Sequence, residues 1–138
     1  MLTNSGAAKT LTLNGTADAT FGGAVSGALS LVKTGAGSQA FTAASLAYTG
    51  TTTISGGTLD FTKVNYATLA GAVSVANGAG LNFAIGGASD YTLAEVLAIR
   101  AGTTTLPGLT LGATSAVGVN TANASAAIVH ADVIADGA

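Results

Sequence analysis

The sequence predicts an all-β fold, a solenoid with coils of about 20 residues, and two periodic series carry that prediction. Phe21, Phe41, Phe61 and Phe83 are spaced by 20, 20 and 22 residues. Gly15, Gly35, Gly56 and Gly78 keep step at 20, 21 and 22, each five or six residues ahead of its Phe. The third observation is local. Between Asn-Gly and Gly-Gly turn signals lie short runs of alternating apolar and polar residues, which read as strands with one face buried. A coil this short is too small for a propeller blade. A meander or sandwich, which also has short regular strands, is the alternative. The 138 residues fit one solenoid domain, 1–138, of about seven coils and a rod about 34 Å long at about 4.8 Å per coil.

Each strand has its own justification. "TLTLNG" (10–15) and "TTTISGG" (51–57) alternate Thr with Leu or Ile and stop at a Gly turn. "TLDFT" (58–62), "AVSVANG" (72–78) and "GLNFAIGG" (80–87) repeat the pattern. Thr and Val suit pleated, half-buried strands. Phe residues one coil apart are expected to stack as an internal ladder. One segment breaks the pattern. In "DYTLAEVLAIRAG" (90–102), Thr92 and Glu95 form a capping box, and Tyr91 and Val96 are placed as a hydrophobic staple. Leu93, Val96, Leu97 and Arg100 share one side at helical spacing, and Gly102 can end the helix. The prediction is one short helix, Leu93–Arg100, within an insertion at about 91–101, packed on the solenoid's flank or over a coil end.

Composition excludes several function classes. Charged residues are 7% of the chain, against about 25% in an average soluble domain. The formal net charge of −2 gives no field for nucleic acid or anionic lipid. There is no cysteine, hence no disulfide framework or thiolate metal site. No apolar run reaches the length of a membrane span. The first residues, "MLTNSGAAKTL", do not read as a signal peptide. So few charges protect a surface poorly against self-association.

No catalytic, cofactor-binding or metal site is expected. Asp18, Asp60, Asp90, Glu95, Asp132 and Asp136 are scattered along the chain apart from the last two. His130 and Asp132 lie two apart on one strand face and read as a solvent-facing pair. One His, no Cys and no calcium-loop pattern leave metal binding without a motif. "GAGSQA" (35–40) lacks the Lys-Ser/Thr of a phosphate loop. Asn14 and Asn123 start glycosylation sequons that are expected to be unused.

The stretch from Leu31 to Phe61 resembles the autotransporter-associated β-strand repeat of large bacterial surface proteins. Leu31, Lys33, Gly35 and Gly37 match that family's L-x-K-x-G-x-G opening. Tyr48, Gly50 and Thr52 match Y-x-G-x-T, and Gly56, Gly57, Thr58 and Leu59 match G-G-T-L. Gln39 and Phe41 stand where the family usually has Leu. Residues 9–27 and 73–83 look like the neighbouring coils, and 91–121 is similar to an inserted helix-and-strand segment. Leu2, Thr3, Gly6, Leu11 and Leu13 read as a worn copy of the motif, with Asn4 at the Lys position. The resemblance implies a right-handed parallel β-helix, exported and extracellular or on the cell surface, and no reaction.

Three functions are therefore expected in descending order. The first is a non-enzymatic structural subunit whose partner is itself, stacked head-to-tail through its end coils into a filament. The second is a stalk or adhesin fragment of a longer surface protein. The third is an ice-binding protein. The pairs Thr10/Thr12, Thr51/Thr53 and Thr103/Thr105 would begin its ranks, but Ser30/Val32 and Gly71/Val73 stand one coil on and interrupt them.

Overall fold

The computed structural model describes residues 1–42, 45–88, 90–104, 106 and 108–124. Its strands are β1 (Leu2–Leu13), β2 (Ala19–Phe21), β3 (Val25–Lys33), β4 (Ser38–Phe41), β5 (Leu46–Tyr48), β6 (Thr52–Ile54), β7 (Thr58–Phe61), β8 (Val73–Val75), β9 (Gly80–Ala84), β10 (Leu109–Leu111) and β11 (Ala116–Asn120). The helices are α1 (Lys63–Ala67) and α2 (Leu93–Arg100).

All the strand pairings are parallel, and they build a β-solenoid of about four turns with about 21 residues per turn. One sheet runs β1-β3-β6-β8-β10, and the other runs β2-β4-β7-β9-β11. Leu31 faces Thr52 and Thr52 faces Val73, a step of 21 each time. Phe21 faces Phe41 at a step of 20, and Phe61 faces Phe83 at a step of 22. The first half of β3 also pairs with β5, Val25 against Leu46, adding a short third ladder at the corner of the coil.

Among the described residues the ladders are five rungs deep, not seven coils, or about 19 Å from first rung to last. Two irregularities use up the chain. The register of β1 shifts between Asn4 and Lys9, where Asn4 Nδ2 donates to Ala7 O (2.9 Å) and Ala28 O (2.8 Å). The last step, Val73 to Leu109, takes 36 residues because α2 is inserted in it. The shift in β1 also corrects the worn motif copy. Lys33 faces Leu13, and Asn4 faces Gly27, so Asn4 does not stand at the Lys position.

Alternation decides what lies inside. Leu31, Ile54, Leu59, Phe61, Leu81 and Phe83 point into the coil and are buried. Each such aliphatic or aromatic side chain contributes roughly 1.5–3 kcal/mol by leaving water. Gln39 is half-buried, and its amide donates to Ala19 O and Ala40 O, so the polar departure from the family pattern is accommodated by backbone carbonyls.

The helix α2 forms at the expected residues. Thr92 Oγ1 accepts from Glu95 N, and Glu95 Oε2 accepts from Thr92 N. At its other end Gly102 adopts φ +68°, Gly102 N donates to Ile99 O, and Thr103 N donates to Ala98 O, the paired bonds of a Schellman motif. The inward face differs from the expectation. Val96 and Ile99 are buried and Arg100 is exposed, because the packing stripe follows the step from 96 to 99. The short helix α1 (Lys63–Ala67) is a second helix, beyond the one the sequence predicts. Thr62 caps it by accepting from Asn65 N, and it delivers the Tyr66 ring to the core.

Candidate functional site

The motif between residues 31 and 61 is a set of turn and corner contacts. Lys33, at the end of β3, points inward and is 2% exposed. Its ammonium donates to Gly35 O and to Gly56 O, the latter at 3.4 Å, and burial lowers its pKa. Gly57, at φ +62°, closes over it. A Cβ there would lie 2.6 Å from Lys33 Nζ and 2.2 Å from Gly35 O, so the G-G-T-L glycine leaves room for the amine. Tyr48 and Thr52 are both buried, and their hydroxyls share a hydrogen bond inside the coil. Burial pushes the Tyr48 phenol up to about 12, with the Thr52 bond acting in the opposite sense.

On the outer face of the β2-β4-β7-β9-β11 sheet, the structure gathers groups that look scattered in sequence. Asp18 Oδ1 accepts from Ser38 N at 2.7 Å. Asp60, 7% exposed, accepts from Asn120 Nδ2 at 2.9 Å and from Ser38 Oγ at 3.4 Å. Burial raises the Asp60 pKa, hydrogen bonds from Asn120, Asn82 and Ser38 oppose the rise, and the charge of Asp18 adds to it. A cavity of about 310 Å³ lies here, lined by Asp18, Thr20, Ser38, Asp60 and Asn120 among others, with no Lys or Arg. Asp18 and Asp60 are scattered in the sequence, and Ser38, on the strand β4, bonds to both. The coil period would have found part of this cluster, because Asp18 and Ser38 are 20 apart, and Asp60 faces Asn82 across 22.

At the other candidate surface the first coil is open. Among the described residues, strands β1 and β2 each pair on one side only, with β3 and β4. Leu2, Leu11, Leu13, Phe21, Val25, Gln39 and Phe41 line a largely apolar cavity of about 150 Å³ at this end, and Leu2 is 38% exposed. Among the described residues, both sheets therefore end here in a strand edge beside apolar side chains.

The remaining expected positions fall as follows. His130, Asp132, Asp136 and Thr105 of the expected Thr ranks lie outside the described residues. Glu95 is on α2 and pairs with Lys63 of α1 at 2.7 Å. Asp90 Oδ2 accepts from Gly87 N and Asn123 Nδ2. The Thr ranks run differently from the expected order. Thr53 faces Ser74, not Val73, and the row reads Thr12, Val32, Thr53, Ser74, Thr110. Among the described residues no three His, Cys, Asp or Glu side chains group as a metal site, and no helix is long and apolar enough to cross a membrane.

Neither the curated proteins nor the solved structures yield a match to this chain. Residues 31–61 match the family model described as Passenger-associated-transport-repeat, and the β-solenoid they help to build is the architecture that fits a repeat of an autotransporter passenger.

Proposed function

We propose that the chain is a non-enzymatic structural solenoid of the cell surface or extracellular space, and that copies stack head-to-tail through their end coils. The observation that carries this reading is the open first coil. Among the described residues, no strand pairs with the outer edge of β1 or β2, and the cavity lined by Leu2, Leu11, Leu13 and Phe21 leaves apolar surface beside that edge. Soluble repeat arrays cover such an end with a polar cap. A further coil, paired in parallel, satisfies both the edge and the apolar gap, and a contact of this kind does not close, so it propagates. The low charge leaves little repulsion between copies.

The passenger-repeat match favours a second reading, in which the coil that covers β1 and β2 belongs to the same longer surface polypeptide. Sedimentation velocity of the isolated chain over a wide concentration range separates the two. Self-stacking gives a sedimentation coefficient that climbs with concentration and collapses to monomer in Leu11→Lys. A wild-type monomer at every concentration supports the stalk reading instead.

A further inference from the structure

Lys33 occupies a row that is otherwise aliphatic. Register places Leu13, Lys33, Ile54, Val75 and Leu111 at one position on five successive rungs. The Phe series on the other sheet is equally repetitive, with Phe21 facing Phe41 and Phe61 facing Phe83. Rows of like residues specify which face is buried. They do not specify which coil lies on which, because a slip by a whole coil restores nearly the same apolar contacts. An ammonium in such a row is costly unless its donors are met.

We propose that Lys33 fixes the coil order, by locking its own coil onto the Gly56–Gly57 turn and onto no other. The receiving place is specific to that pair of coils. It consists of Gly35 O from the lysine's own turn, Gly56 O from the next coil, and the space left by the missing Cβ of Gly57. One coil further on, the turn between Val75 and Gly80 holds four residues where the turn between Ile54 and Thr58 holds three, so it does not repeat the Gly56–Gly57 turn. A slipped pairing would meet this longer turn in place of the carbonyl and gap that receive the amine. Among the described residues no carboxylate is paired with Lys33, so the carbonyls hold the charge. A buried polar group that selects register is the best-attested use of such a group. This inference concerns pairing inside one chain and stands apart from the proposed stacking between copies.

The chain has no cysteine, so engineered pairs can report register on a clean background. Val32 and Thr53 are neighbours on adjacent rungs, and Ser74 is the next along. The pair Val32→Cys/Thr53→Cys reports native order. The pair Val32→Cys/Ser74→Cys spans two rungs, about 9.6 Å, which is beyond disulfide reach without a slip. After oxidative refolding with Lys33 present, only the first pair should close. With Lys33→Met, closure of the second pair should rise by about tenfold or more. A Lys33→Met protein that closes only the native pair overturns the proposal. If that variant does not fold, Lys33→Gln decides, because its amide can still donate to the two carbonyls. Native closure alone supports the lock. Slipped closure, or failure of Lys33→Gln to fold as well, overturns it.

Discussion

Phe41 and Phe61, from successive coils, stack inside the solenoid with ring centroids 6.0 Å apart and planes inclined by 16°. Phe21 meets Phe41 edge-on at 6.1 Å, and beyond Phe61 the Tyr66 ring of α1 contacts both Phe61 and Phe83 at 5.9 Å. The ladder is thus continuous, although one of its members comes from outside the strands. Phe41→Ala should destabilise the chain by about 3–5 kcal/mol, through lost burial and the cavity left in a packed stack. Denaturant unfolding checks this, and a change below about 1 kcal/mol would remove the ladder from the account of stability.

The Tyr48–Thr52 hydroxyl pair explains why the motif needs both residues. Tyr48→Phe keeps the ring and leaves the buried Thr52 hydroxyl without its partner. A loss of about 1–3 kcal/mol is expected, while Tyr48→Phe combined with Thr52→Val should recover much of it. Chemical denaturation of the three variants checks the cycle, and independent, additive losses would contradict the pairing.

The Lys63–Glu95 bridge joins α1 to α2 and should be sensitive to acid. The Lys63 hydrogen bond, followed by the bonds from Thr92, holds the Glu95 carboxyl down at about 2, below its ordinary 4.5. A depressed acid contributes stability above its unfolded pKa and loses it as pH falls through the folded value. The contribution is therefore present above about pH 4.5 and gone below about pH 2. Lys63→Ala should speed amide exchange in α2 at pH 6, less so in high salt, and have no effect near pH 2. An equal effect at both pH values would show that packing, not charge, joins the helices.

Asp60 should behave in the opposite sense. Its folded pKa is raised, so its protonation favours the folded state below the ordinary value of 3.8, and that advantage disappears as pH rises through the folded pKa. Asp60→Asn should flatten this part of the pH–stability curve and leave neutral-pH stability within about 1 kcal/mol, since an amide oxygen can still accept from Asn120. Asp60→Ala should cost more, by leaving the Asn120 amide without its acceptor. Thermal melts from pH 3 to pH 7 check the difference, and an unchanged pH profile in Asp60→Asn would remove Asp60 as its source.

The coil period was legible because Phe and Gly recur at positions where packing and turning leave few substitutes. The helix α2 was legible because Thr92 and Glu95 stand at capping-box spacing. The helix α1 was not, since five residues give no helical periodicity and its only signal is the Thr62 cap. The Asp60 cluster was only half legible. Asp60 and Asn82 keep the coil period, but Asn120 reaches Asp60 across 60 residues, over an insertion whose length no periodicity gives. The Thr ranks were misplaced by one residue because the step from β6 to β8 is 21, not 20, and one residue turns an outward side chain inward.

Electron microscopy of the isolated chain under native conditions tests the central claim, that the open first coil receives a coil from another copy. Unbranched fibres with an axial repeat near one rod length, absent in Leu11→Lys under the same conditions, are the predicted result. Discrete single rods at high protein concentration, unchanged by Leu11→Lys, would contradict it.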